Sequence, residues 1–207
     1  MKVFSSILII SLLIVCQVAF AKMVVLFDEN EASEAAGGDF PAIFGSHDAG
    51  SVVEISSAEM FNGTVSASCT PSQSYNNVVD GWEYSIDEYP YLTFAWKKDG
   101  GTGIMIQFAH DTGWAYRYFS GVNVTNWEGI QLEEDIPTDW MLYTRNLVED
   151  FGGGWNLTGL ALTPWDGNAG YYDYLILHTE ANETELKETA VTPQRKLATT
   201  WSQIKSK

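Results

Sequence analysis

Short runs in which every second residue is apolar or aromatic constrain the fold of this chain more than any other feature. Leu92, Phe94 and Trp96 occupy alternate positions of one run, and a second run spans residues 114–119. A period of two belongs to a β-strand whose two faces differ in burial. Strands are also predicted at residues 24–27, 52–55, 65–69, 82–86, 103–108, 140–144, 159–163 and 172–178.

These runs recur about every ten residues and are separated by turn signals. The sequences Asp99-Gly100-Gly101 and Asp166-Gly167-Asn168 are two of them, and we interpret the first as a hairpin turn. Only residues 146–151 suggest a helical turn ahead of the C-terminal tail, and it is too short to form a layer. The pattern predicts an all-β fold, an antiparallel β-sandwich of jelly-roll type.

The N-terminus has the features of a secretory signal peptide. Lys2 precedes an apolar run over residues 7–15, and Ala19-Phe20-Ala21 is a small-x-small cleavage site. We therefore expect a signal peptide at 1–21, a sandwich domain at 22–180 and a flexible C-terminal tail at 181–207. The mature protein is predicted to be secreted, to the extracellular space or the periplasm.

Charge and cysteine content narrow the possible partners. The formal net charge is −16, which opposes binding to nucleic acid or to an anionic membrane. No later apolar run reaches the roughly twenty residues of a membrane-spanning helix. After cleavage Cys69 is the one cysteine left, so the core or a metal must stabilise the fold without an intramolecular disulfide.

No catalytic motif accompanies the predicted strands. The histidines are His47, His110 and His178, and there is no Gly-x-Ser-x-Gly nucleophile turn. Glu133-Glu134-Asp135 is acidic, but glycoside hydrolysis needs two carboxyl groups facing each other across a cleft, which adjacency does not provide. We expect a protein that is not an enzyme.

The aromatic residues are better suited to binding. Six of the eight tryptophans lie in residues 89–179, and sugar faces stack on exposed Trp and Tyr rings while polar side chains bind the hydroxyls. Trp82, Trp96 and Trp140 are expected to fill the sandwich, whereas the loop residues Trp127, Trp155 and Trp165 are expected to be exposed. The candidate ligand-binding residues are His110, Asp111, Trp114, Tyr116, Arg117, Trp127, Trp155 and Trp165.

A family resemblance follows the same stretch of chain. Residues 91–107, His110-Asp111, Arg117-Tyr118 and residues 158–164 carry it, and it covers roughly residues 60–180. Together they resemble a secreted β-sandwich domain of the galactose-binding-like or carbohydrate-binding-module type, seen in proteins of planctomycete-type environmental bacteria beside cytochrome-type or laminin-G-like domains. The resemblance implies a β-sandwich and no established activity.

The same resemblance raises the possibility of a structural calcium ion. In many carbohydrate-binding jelly rolls such an ion joins the first strand to the last, which here points to Asp28 and Glu29 on one side and Asp173 on the other. Calcium takes oxygen ligands, which an acidic chain supplies. The alternative is that Asp173 only forms hydrogen bonds with a neighbouring turn.

Two functions remain after these steps. The first is a secreted, non-catalytic module that binds extracellular or cell-wall polysaccharide. The second is a structural or adhesion protein that binds a surface protein through its sandwich surface or its tail. An exposed aromatic strip would favour a sugar, and a broad apolar patch would favour a protein.

Overall fold

The computed structural model describes residues 22–28, 31–32, 52–71, 78–123 and 127–181. The predicted signal peptide, Glu29 and residues 182–207 of the predicted tail lie outside the described residues. The described residues form strands β1 (Met23–Asp28), β2 (Glu31–Ala32), β3 (Val53–Ser56), β4 (Ser66–Cys69), β5 (Val78–Ser85), β6 (Tyr91–Lys98), β7 (Gly103–His110), β8 (Gly113–Gly121), β9 (Ile130–Glu133), β10 (Met141–Asn146), β11 (Asn156–Thr163) and β12 (Gly170–His178), and helix α1 (Leu147–Phe151).

The strands form two sheets. Sheet A has seven strands, in the order β10-β6-β12-β1-β2, with β4 also paired to β12 and β3 paired to β4. Sheet B has five, in the order β5-β11-β7-β8-β9, and every pair is antiparallel except β8 with β9. The predicted all-β antiparallel sandwich of jelly-roll type is thus confirmed. In the described part of the chain, no helix has the length and apolar character needed to cross a membrane.

The main core lies between the two sheets. Phe94 and Trp96 of β6 are 0% exposed, as the alternation predicted, and the Phe94 ring stacks on Tyr118 of β8 at 6.0 Å between centroids. Trp82 also lies in this core, as expected.

Cys69 is buried and forms no disulfide within the described residues, and burial raises the pKa of its thiol. The neutral, inaccessible thiol behaves as a small apolar side chain.

The outer face of sheet A is covered as well. The alternating pattern predicted strands with one buried and one exposed face, so this cover was not expected. A second cluster of Ala95, Tyr174 and Ile176 packs there against partly buried neighbours that include Phe61 and Trp140. The Phe61 ring lies 6.1 Å from Trp140. The prediction that Trp140 fills the sandwich is therefore wrong, because the chain between β3 and β4 provides a separate apolar cover outside sheet A.

A buried lysine joins two connections at one end of the sandwich. Lys98 is 0% exposed, and its Nζ donates to the backbone oxygens of Pro164 at 2.6 Å, Asp166 at 2.5 Å and Asn168 at 2.8 Å. The Asp166 carboxylate in turn accepts from the Thr102 amide at 2.7 Å. Charge-assisted bonds of this kind are stronger than neutral ones. They link the β6–β7 connection to the β11–β12 connection.

This arrangement corrects one detail of the sequence interpretation. Residues 99–102 join β6 in sheet A to β7 in sheet B, so they form a corner between sheets and not a hairpin turn. A turn sequence such as Asp99-Gly100-Gly101 shows that the chain reverses direction. It does not show whether the next strand pairs with the previous one or joins the other sheet, because that depends on partners distant in sequence. We call this end of the sandwich the Lys98 end.

Replacing Lys98 should destabilise the whole fold. We expect Lys98→Met to lower the free energy of unfolding by about 3 kcal/mol, because the buried carbonyl oxygens lose their donor while a side chain of similar length remains. Urea denaturation followed by tryptophan fluorescence measures the loss.

The neighbouring Lys97 provides a matched control. Its Nζ lies 2.8 Å from a Glu59 carboxylate oxygen, and Lys97→Met should cost about 1 kcal/mol or less, as for other ion pairs near the surface. Equal losses for the two variants would contradict the role assigned to Lys98.

Candidate functional site

The hairpin formed by β7 and β8 carries most of the predicted ligand residues. His110 pairs with Gly113 across a two-residue turn, Asp111-Thr112. Tyr116 and the buried Tyr118 are two residues apart on β8, so their side chains share one face, whereas a register shift between Phe108 and His110 interrupts the alternation next to Trp114. Trp114 is 38% exposed and Tyr118 is 0% exposed. An aromatic row thus runs from the core out to solvent.

Rings from three other elements pack around Tyr116. Its centroid lies 4.8 Å from His110 of β7, 4.9 Å from Phe151 of α1 and 4.8 Å from Trp155, which precedes β11. We call the set of His110, Trp114, Tyr116, Phe151 and Trp155 the aromatic end. It lies at the opposite end of the sandwich from Lys98, since β7 ends and β11 begins there.

A partly buried ionic network anchors the helix that carries Phe151. Arg145 of β10 donates from Nε and Nη2 to the two Asp150 carboxylate oxygens at 2.8 and 2.6 Å, and the Tyr118 hydroxyl donates to the same carboxylate at 2.5 Å. The bidentate pair is the strong geometry for such a contact. Asp150 lies in α1, so both sheets anchor the helix next to Phe151.

The pKa values follow from this network. Burial, and then the hydrogen bond to Asp150, raise the pKa of Tyr118 well above its ordinary value, so its hydroxyl stays protonated and donating. The hydrogen bond with Asp150 also raises the pKa of Arg145. Helix α1 itself begins where the Asn146 side chain accepts from the Val148 and Glu149 amides at 3.1 and 3.2 Å, the usual capping contact.

The opposite face of β8 holds a second pair of predicted residues. The Arg117 guanidinium lies 4.9 Å from the centre of the Trp127 ring and donates to the backbone oxygens of Trp114 and Glu128, both at 2.8 Å. Arg117 is 4% exposed while Trp127 is 40% exposed. Burial lowers the pKa of Arg117. Its guanidinium packs against the inner face of the exposed Trp127 ring in a cation–π contact.

The structure therefore divides the predicted ligand residues into groups. His110, Asp111, Trp114, Tyr116 and Trp155 meet at the aromatic end, and Arg117 and Trp127 lie together on the other face of β8. Trp165 belongs to neither group, because it lies in the β11–β12 connection at the Lys98 end, with φ at 34°. The expectation that Trp155 is exposed is wrong: it is 7% exposed, and its indole nitrogen donates to the Gly152 oxygen at 2.8 Å.

Asp173 of the calcium hypothesis already has several hydrogen-bond donors. Its Oδ2 accepts from the Phe61 and Asn62 amides at 2.8 and 3.2 Å, and its Oδ1 accepts from the Tyr174 amide at 2.8 Å. These bonds hold the connection between β3 and β4, which contains Phe61 and Asn62, against the outer face of sheet A. They correspond to the second interpretation given above, in which Asp173 forms hydrogen bonds with a neighbouring turn. The described residues contain no group of three His, Cys, Asp or Glu side chains suited to a metal. Glu29 lies outside them, so the calcium site of Asp28, Glu29 and Asp173 stays a prediction.

Phe151 is the site residue that sequence reasoning missed. The helical turn that contains it was predicted, but it was set aside as too short to form a layer. An aromatic residue directly before Gly152-Gly153-Gly154 was the available signal, since glycines end a helix and let its last side chain pack against a neighbour.

Solved structures of similar shape are carbohydrate-binding modules. One is the family 30 module of a Clostridium thermocellum cellulosomal cellulase, at 13% identity, 63% coverage of this chain, 84% of that chain and a TM-score of 0.41. Another is the family 11 module of the same organism in complex with a mixed-linked tetrasaccharide, at 12% identity, 62% and 83% coverage and a TM-score of 0.39. A third is a xylan-binding domain from Paenibacillus barcinonensis, at 14% identity, 66% and 86% coverage and a TM-score of 0.35.

Likeness at this level does not establish a family for the chain. No protein-family model matches the sequence, and no curated protein matches it either.

The two tryptophans of the aromatic end should differ in their effect on stability. Trp155→Ala should lower the free energy of unfolding by about 3 kcal/mol, because it removes a buried ring from a packed cluster. Trp114→Ala should lower it by about 1 kcal/mol or less, since the residue is 38% exposed and its ring lies outside the packed cluster around Tyr116. Urea denaturation measures both, and a large loss for Trp114→Ala would contradict the exposed placement of that ring.

Proposed function

We propose that this protein is a secreted, non-catalytic module that binds extracellular or cell-wall polysaccharide through its aromatic end. The observation that carries the proposal is the aromatic row on β8, in which Trp114 is 38% exposed while the adjacent Tyr116 ring is packed on three sides. An exposed ring next to a packed ring cluster offers a surface to the apolar face of a sugar.

The support of this surface favours binding. Trp155 and Phe151 both pack against Tyr116, and Arg145 and Asp150 fix the helix that carries Phe151. A surface that is already ordered loses little conformational entropy when a ligand binds. The aromatic end therefore needs no rearrangement to present its rings.

Polar groups stand at the edge of the same surface. The His110 ring nitrogen Nδ1 lies 3.2 Å from the Thr112 hydroxyl, and Asp111 and Thr112 form the exposed turn of the hairpin. Sugar hydroxyls need such donors and acceptors beside the stacking ring. A stacking residue with polar neighbours at one edge matches this requirement.

The location follows from the N-terminal sequence. Lys2, the apolar run over residues 7–15 and the Ala19-Phe20-Ala21 site support export, and a polysaccharide ligand outside the cell is consistent with it. N-terminal sequencing of the secreted protein tests the cleavage site after Ala21.

Binding is tested with a panel of soluble and insoluble polysaccharides and the full-length secreted chain. We expect selective binding, and we expect Trp114→Ala to weaken it about tenfold or more, as truncation of a central aromatic contact does. Isothermal titration calorimetry with the best polysaccharide measures the change.

Trp127→Ala is the matched control, because this tryptophan is 40% exposed but lies over Arg117, on the face of β8 opposite Tyr116. It should leave the affinity within about twofold of the unmodified protein. Loss on Trp127→Ala alone would move the site to the face that holds Arg117. No binding to any polysaccharide would contradict the proposal and favour the adhesion function.

A further inference from the structure

The oxygens that bind the Lys98 ammonium come from alternate residues of the β11–β12 connection. They belong to Pro164, Asp166 and Asn168, and they lie 2.6, 2.5 and 2.8 Å from Nζ. We call these oxygens the carbonyl ring. An ammonium group has three hydrogens to donate, so each hydrogen has one oxygen of the ring. The bonds are as short as charge-assisted hydrogen bonds.

The backbone of this connection is bent so that the oxygens of the ring face one point. The residue between the first two oxygens is Trp165, with φ at 34°, and the residue between the last two is Gly167, with φ at 71°. Glycine adopts positive φ readily, whereas tryptophan does so only at a cost in energy. Strained residues of this kind are concentrated at ligand clamps and other functional sites. The conformation of Trp165 therefore indicates a backbone shaped around a bound group.

Contacts outside the ring hold the same connection in place. The Asp166 carboxylate accepts from the Thr102 amide at 2.7 Å and from the Thr102 hydroxyl at 3.1 Å. The Asn168 side chain donates to the backbone oxygen of Asp99. Gly101 lies so close that a Cβ on it would be 2.4 Å from the Asp166 carbonyl oxygen. None of these contacts involves the lysine side chain, so the β6–β7 connection shapes the ring independently of the ammonium.

We infer that the carbonyl ring is a binding site for a primary ammonium ion, which this protein occupies with the side chain of its own Lys98. The inference does not depend on the sugar-binding function proposed above. Burial lowers the pKa of Lys98 to about 8, and the nearby Asp166 carboxylate acts in the opposite direction, so the bound ammonium is charged at about pH 7. Calcium fits the ring less well, because it takes about six to eight oxygen ligands.

Lys98→Ala empties the ring and allows it to be refilled from solution. The deleted atoms Cγ, Cδ, Cε and Nζ correspond to n-propylammonium, so this ion is the probe. It should raise the folding equilibrium constant of the full-length secreted variant about tenfold at a concentration about ten times its Kd, because it binds only the folded chain. Urea denaturation followed by tryptophan fluorescence at neutral pH measures the change. If the variant is unfolded without the amine, the same titration should restore the native fluorescence.

Other ions and variants separate a specific site from a general effect of salt. Ammonium chloride should stabilise Lys98→Ala less than n-propylammonium chloride does, since it leaves the space of the lysine methylenes empty. Tetramethylammonium has the charge without an N–H donor, so it should give no stabilisation at equal ionic strength, and neither should calcium chloride. Lys98→Met keeps the space filled and Lys97→Ala keeps the ring occupied, so n-propylammonium should stabilise neither of them.

Stabilisation of Lys98→Ala alone, strongest with n-propylammonium, would support the site. Equal stabilisation of Lys97→Ala or Lys98→Met would show a general effect of the amine and overturn the inference. A larger effect of calcium than of either ammonium ion would contradict the assigned ligand. If n-propylammonium neither stabilises nor refolds Lys98→Ala, the ring does not form a site without its tethered lysine, and the inference is wrong.

Discussion

The buried ammonium of Lys98 is the contact on which the rest of the sandwich depends. It binds three carbonyl oxygens of the connection between β11 and β12, while its own strand enters the connection to β7. Both connections cross from one sheet to the other, so this single cation sets how the sheets meet at one end. Burying an ammonium is favourable only when its donors are satisfied, and here it links two connections of the chain as a structural cation or a disulfide does in many small domains.

The other end of the sandwich is organised by a second ionic contact. Arg145 and Asp150 tie α1 to sheet A, and the Tyr118 hydroxyl ties the same carboxylate to sheet B. The short helix can then hold Phe151 against Tyr116, although five residues of helix have little stability by themselves. The packing of Phe151 against Tyr116 is therefore a consequence of the partly buried polar bonds behind these two rings.

The strands were largely predictable because alternation and turn residues are local signals. Residues 103–108 and 159–163 were predicted as strands and lie within β7 and β11. Strand β9, Ile130–Glu133, was missed although Ile130 and Leu132 alternate with polar residues, because four residues give only a weak period-two signal. Of the candidate site, His110, Asp111, Trp114 and Tyr116 were found from sequence because they lie within one hairpin. Trp155 was expected in solvent and is buried, since its surroundings come from β7, β8 and α1, which no local pattern brings together.

By itself the sequence determined the class of fold, the scarcity of positive charge and the aromatic residues available for stacking, because these depend on composition and on spacing between near neighbours. Only the tertiary structure decided which tryptophans are exposed, which cations are neutralised and that Trp127 lies over Arg117, on the face of β8 opposite Tyr116. Burial and ion pairing depend on groups far apart in the chain, and folding alone sets the distances between them.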